Sequence, residues 1–129
     1  MVIDSSALLA VVLEEPDGAR YLAALEEQPI RLMSLVNWVE TCFVVLTRKG
    51  PGAFPDLDLF VEKAAISVVP NDAAQGVAAR TAFARFGKGR HPAGLNLGDC
   101  FAYALAHTTG EPLLFKGNDF SRTDVAAVL

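Results

Sequence analysis

Residues 1–16, MVIDSSALLAVVLEEP, put an aspartate at the join that decides the fold. Met1–Val2–Ile3 begins an apolar β-run that continues to Asp4, and Ala7–Leu13 is a second apolar stretch. Ser6 is a suitable cap for a helix running through Leu13. A short strand passing directly into a helix is the first half of a βαβ unit. An ionised carboxylate at the end of an apolar strand needs a partner, because an unpaired buried charge costs several kcal/mol or takes up a proton. Asp4 therefore reads as a residue placed for a purpose.

The same alternation continues along the chain. A helix follows Pro16–Asp17–Gly18 to about Glu27, and Ile30–Ser34 is a second strand. Ser34 caps the helix LVNWVETCFVVLTRK, which Gly50–Pro51 closes. Asp56–Ala65 is helical, ISVVP at 66–70 is a third strand, and Asn71 or Asp72 caps a helix to about Phe86. GKGRHPAGLN is a loop by its Gly, Pro and Asn content. Gly98–His107 is helical, Pro112–Lys116 is a fourth strand, and Val125–Val128 is expected to add a fifth. Strands alternating with helices predict an α/β fold with a central parallel sheet, in one domain over 1–129. Such sheets bind ligands beyond the carboxyl ends of their strands. Asp4 follows the first strand and the Gly117-Asn118-Asp119 turn follows the fourth, so both acids fall on that edge.

Composition narrows the function. Hydrophobic residues make up 52% of the 129, which suits a folded globular chain, and the net charge of −4 argues against a general polyanion binder. No apolar run approaches the ~20 residues of a membrane span. Asp4 and Glu14–Glu15 around the first apolar run argue against a signal peptide. Cys42 and Cys100 lie in apolar helical patterns and read as buried thiols. The expectation is a soluble cytoplasmic protein.

Three further acids repeat the problem of Asp4. Steps of three and four from Glu40 reach Val36, Phe43, Val44 and Thr47, which puts Glu40 on an apolar stripe. A position at the stripe's margin, reaching solvent, is the plainer alternative. Asp99 stands three residues after Asn96 and can complete a capping box, while Ala102, Tyr103 and Ala106 continue its face toward the sheet. Asp119 suits an Asx turn as well as a site. Taken together, the four require a counter-charge, since two like charges 4 Å apart repel by ~4 kcal/mol at an effective dielectric near 20. Mg²⁺ or Mn²⁺ is the hard cation that carboxylates select, and no His/Cys spacing suggests zinc.

The segments VIDSSALLAVV, MSLVNWVET, KGRHPAGLNLGDCFAYALA and LLFKGNDFSRTDV, in this order, resemble PIN-domain ribonucleases, and among them the VapC toxins of VapBC toxin–antitoxin pairs. The resemblance covers essentially the whole chain. It implies a three-layer sandwich around a five-stranded parallel sheet, and Mg²⁺-dependent endonucleolytic cleavage of RNA, with Mn²⁺ able to substitute. Family acids fall on Asp4, Glu40, Asp99 and Asp119. Asp4 and Asp99 are implied as direct metal ligands, Glu40 as a ligand through water or a base, and Asp119 as completing the shell or a second, weaker site. Ser6 matches a small hydroxyl beside the first acid. Many relatives read D-x-D-F in the last turn, whereas this chain has Gly117-Asn118-Asp119-Phe120. The fourth corner therefore falls to Asp119, Asn118 or Asp124.

Phosphate must still approach an acidic pocket. Arg85, Lys88, Arg90 and His91 precede Asp99, and Lys116 and Arg122 flank the last turn, a basic rim suited to an RNA backbone. By resemblance the partners are RNA, a VapB-type antitoxin whose segment crosses the groove, and a second copy of the chain. Trp38, Leu22 and Leu25 are candidates for protein contacts. Two rivals remain. A Mg²⁺ phosphoacceptor domain would want an acid pair after its first strand, where this chain has Asp4-Ser5. A non-catalytic PIN-fold binding module would tolerate the missing acid at Gly117.

Overall fold

The computed structural model describes residues 1–129. Its sheet has four strands, β1 (Val2–Ile3), β2 (Leu32–Ser34), β3 (Ser67–Val69) and β4 (Leu113–Leu114), in the order β3-β2-β1-β4. Every neighbouring pair is parallel, with Val2 opposite both Leu32 and Leu113. The period of two along a strand sends alternate side chains to opposite faces. Val2 and Leu113 join one apolar cluster with Ala102, Leu105 and Phe86. Met1, Ile3, Met33 and Leu114 join another with Leu8, Tyr21 and Leu25. The sheet is thus buried on both faces, as a parallel sheet requires.

Six helices cover those faces. On one side lie α1 (Ser5–Val12) and α2 (Gly18–Glu27), and on the other α5 (Ala73–Phe86) and α6 (Leu97–Thr109). Helices α3 (Leu35–Lys49) and α4 (Phe54–Lys63) follow one another through a 3₁₀ turn at Pro51–Ala53. Their starts obey local chemistry. The Val36 N–H donates to the Ser34 hydroxyl at 3.3 Å, and the Gln75 N–H to the Asp72 carboxylate at 2.8 Å. Gly110, left-handed at φ 71°, ends α6. The three layers are those the alternation predicts.

The expected fifth strand is a correction. Residues 125–128 form no strand, only a single parallel bridge between Leu113 and Ala127. The Leu113 N–H donates to the Ala126 carbonyl at 2.8 Å, and the Val128 N–H donates to the Leu113 carbonyl at 3.0 Å. β4 is two residues long, and the chain reaches its free edge only after a 3₁₀ turn at Phe120–Arg122. Cys42 and Cys100 are free thiols, and no helix is long and apolar enough to cross a membrane.

Candidate active site

Asp4 leaves β1 and caps α1 itself, in place of the expected Ser6. One carboxylate oxygen accepts the Ser6 backbone N–H at 3.0 Å and the Ser6 hydroxyl at 2.5 Å. The other accepts from the Asn37 side-chain amide at 3.3 Å. Asp4 is only 3% exposed. Burial pushes its pKa up from 3.8 to about 6, against the lowering effect of the Ser6 hydrogen bonds, and the Glu40 charge adds to the rise. The Ser6 oxygen also accepts the Lys116 N–H at 3.0 Å, so one hydroxyl ties the end of β1 to the segment after β4.

Asp99 occupies the first turn of α6 in a complete capping box with Asn96. Each side chain accepts the other's backbone N–H, at 2.9 and 3.0 Å. The cap does not exhaust its role. Its pKa stands at about 7, raised first by burial, held back by the Asn96 hydrogen bond, and raised again by the charges of Asp4, Asp119 and Glu40. All four predicted acids therefore share one electrostatic neighbourhood.

Glu40 lies beside the buried stripe of α3, not on it. That stripe is Asn37, Thr41 and Val45, while Phe43 is 66% exposed. The expected face was one position out of phase, and Glu40 is half-buried at its margin. The Ser5 hydroxyl donates to its Oε1. On the other side the helix α6 comes so close that a Cβ on Gly98 would stand 2.5 Å from Oε2.

Asp119 and Asn118 are exposed in the turn after β4, and the Asp119 side chain caps nothing. Asp124 is engaged elsewhere, accepting from the Tyr103 hydroxyl at 2.5 Å and from Arg85 at 3.3 Å. Of the three candidates for the fourth corner, Asp119 is the one whose charge bears on Asp99.

The basic residues divide. Lys88 and Arg90 project from a loop pinned at its neck by the Gly87–Leu95 bridge, and both are exposed, as is Arg122. Arg85 lies over the Phe86 ring at 4.7 Å besides meeting Asp124. His91 packs edge-on against Phe86, its Nδ1 accepting the Ala93 N–H at 3.0 Å. Lys116 turns away from the rim and pairs with Glu15 and, at 2.7 Å, with Asp17. Ser5 and Asn37 are the polar groups that the sequence reading passed over. A polar pair one turn apart, Asn37 and Thr41, beside Glu40 was the available signal for Asn37.

Whether these groups suit a cation follows from their chemistry. No three His, Cys, Asp or Glu side chains stand as a ready-made cluster. The donors are nonetheless all oxygen, two carboxylates are driven toward the protonated form by burial and mutual charge, and the buried Asn37 Oδ1 has no partner. A hard divalent cation fits that set and relieves its repulsion.

Beside Glu40 opens an apolar groove of about 500 Å³ lined by Leu35, Val36, Val39, Phe43 and Leu97. Of the residues expected at protein contacts, Leu25 is buried, Trp38 packs on the core, and only Leu22 is exposed, at 37%.

Residues 1–126 match the PIN domain family. The chain is 52% identical over 128 residues to Ribonuclease VapC30 of Mycobacterium tuberculosis, covering 99% of this chain and 98% of that one. Its fold is similar to the crystal structure of Mycobacterium tuberculosis VapC20, described as a sarcin-ricin loop cleaving toxin, with TM-score 0.79 at 15% identity over 97% of this chain and 95% of that one. It is also similar to VapBC2 from Rickettsia felis, bound to a DNA fragment from its promoter, with TM-score 0.73 at 16% identity over 98% and 94%.

Proposed function

The chain belongs to the PIN domain family, and we infer that it is an endoribonuclease of the VapC kind, the toxin of a toxin–antitoxin pair. It hydrolyses RNA phosphodiester bonds with the help of a divalent cation. What supports the site assignment is the packing of Asp4, Glu40 and the opening turn of α6 around Ser5, Asn37 and Gly98, beyond the carboxyl end of β1.

Asp4 and Asp99 are the proposed direct ligands, with Asp119 closing the open side. Bound there, Mg²⁺, or Mn²⁺ in its place, would set positive charge against the phosphate as negative charge develops in the transition state. The chain's own groups supply the rest. Ser5 holds Oε1 of Glu40, which leaves Oε2 to take a proton from the attacking water. Ser6 and Asn37 fix the rotamer of Asp4. Lys88, Arg90 and Arg122 hold flanking phosphates, which positions the strand without reading its sequence. Phe86 and His91 brace the loop that carries Lys88 and Arg90.

The partners follow the same reading. A VapB-type antitoxin segment seats an apolar side chain in the groove of Leu35, Phe43 and Leu97, next to Glu40, and so covers the acids. A homodimer completes the assembly.

The test is cleavage of a mixed tRNA and rRNA pool by the purified chain, freed of antitoxin. Discrete fragments that require Mg²⁺, vanish with EDTA and vanish with Asp99→Asn are expected. A folded protein that neither cuts nor binds Mg²⁺ would instead favour a binding module.

A further inference from the structure

Asn37 is fully buried on α3, and its amide nitrogen makes two contacts that no other residue makes together. It donates to Oδ1 of Asp4 at 3.3 Å and to the backbone carbonyl of Gly98 at 3.0 Å. The first contact grips the end of β1. The second grips the opening turn of α6, one residue before Asp99. Glu40 stands one turn further along the same helix, and the Thr41 hydroxyl donates to the Asn37 carbonyl at 2.9 Å, joining that turn to it. Asn37 thus ties together the three elements that bear the inner acids.

We propose that Asn37 is a positioning residue, whose amide sets the spacing between the carboxylates of Asp4 and Asp99 and so tunes their joint hold on a divalent cation. Asn37 is an imperfect core residue, since its Oδ1 is buried without a donor. Its nitrogen, by contrast, is spent entirely on the acid site. A carboxylate ligand is oriented by the hydrogen bond to its non-ligating edge, and loss of such a bond loosens the cation without touching it.

The inference rests on the nuclease reading above, and the experiment separates the two. Asn37→Leu keeps the branching of the side chain, at a larger volume, and removes both donors, while Asn37→Ser keeps a single hydroxyl donor. Mg²⁺ and Mn²⁺ affinity would be measured by calorimetry on each folded protein, beside its melting temperature and its kcat and KM for RNA. For Asn37→Leu the expected result is a cation Kd weakened by about 10–100-fold, a comparable fall in kcat, and little change in KM. Asn37→Leu also takes the one donor from the buried Oδ1 of Asp4, so its melting temperature should fall modestly, and Asn37→Ser should fall between the two proteins in affinity. Wild-type affinity and kcat in Asn37→Leu, with wild-type cleavage intact, would overturn the positioning role and leave the nuclease standing. A loss of activity that merely tracks the unfolded fraction would overturn it equally. A wild-type chain that binds no cation and cuts no RNA would remove the nuclease reading itself, and this role with it.

Discussion

Gly98 and Glu40 meet where α6 crosses α3, with the glutamate carboxylate lying in the space that any Cβ at position 98 would fill, 2.5 Å from Oε2 and 2.9 Å from Oε1. The obstructing atoms are the tip of a flexible side chain, so Gly98→Ala is expected to move Glu40 and not the helices. Alanine is also the better helix former, by at most about 0.5–1 kcal/mol, the interior-position value, since Gly98 lies in the first turn of α6. Melting temperature should therefore hold or rise while cleavage falls by about tenfold or more, the scale of a displaced proton acceptor. Melting curves and single-turnover rates on the same preparation check both halves.

Asp4→Asn and Asp99→Asn should each lower cleavage by at least about a hundredfold, as the loss of one preorganised electrostatic group does. Neither should unfold the chain. Asparagine caps helices as well as aspartate does, so α1 keeps its start in Asp4→Asn. Without a cation at pH 8 each variant should melt above the wild type, because a buried carboxylate in a crowd of like charge has been removed. Melting with and without Mg²⁺ tests this: the cation should stabilise the wild type and do little for the variants.

The pH dependence of stability follows from the same two groups. A carboxyl whose pKa is higher in the fold than in the unfolded chain binds its proton more tightly when folded. Asp4 at about 6 and Asp99 at about 7 thus favour folding fully below their ordinary value of 3.8, and that contribution is lost as pH rises through 6 and 7. Asp17 and Asp124, lowered by Lys116 and Tyr103 respectively, act in the opposite sense and weaken the fold as pH falls below 3.8. The cation-free protein should accordingly melt highest near pH 4, lose stability from there to about pH 7, and level off several degrees lower by pH 8. Millimolar Mg²⁺ should raise the pH 8 value most. A flat profile from pH 5 to 8 would contradict the raised values.

Much of this was legible in the residues alone. The alternation of strands and capped helices gives the three layers, because caps such as Ser34, Asp72 and Asn96 act within a turn of themselves. The acids at β1 and α6 stood out for local reasons, Asp4 by breaking the apolar run of its strand and Asp99 by meeting the spacing of a capping box. What escaped depends on packing between distant segments. Glu40 sits at a margin because α3 buries Asn37, Thr41 and Val45, a choice made by the helices across from it. Asn37 acquires its role only when α6 brings Gly98 alongside. The fifth strand reduces to a single bridge at Leu113–Ala127, a pairing length no hydrophobic run announces. Lys116 looked like part of a basic rim since Glu15 and Asp17 are a hundred residues away in sequence and adjacent in space.

That last contact makes the basic residues separable in solution. Lys88 and Arg90 are exposed on the pinned loop and should each contact RNA phosphate. Lys116 spends its charge on Glu15 and Asp17 and fastens the segment before Asp119 to the α1–α2 connection. If so, Lys88→Ala and Arg90→Ala should weaken binding of a catalytically dead Asp99→Asn chain to single-stranded RNA. Each should also reduce the slope of log K against log salt by about 0.7, the value of one phosphate contact on a single strand. Lys116→Ala should leave that slope alone and act instead on kcat in the active background, by loosening the turn that carries Asp119. Fluorescence anisotropy across a salt series reads the slope directly. A drop of the same size for Lys116→Ala would return that lysine to the RNA-binding rim, with its carboxylate partners exchanged for phosphate when RNA binds.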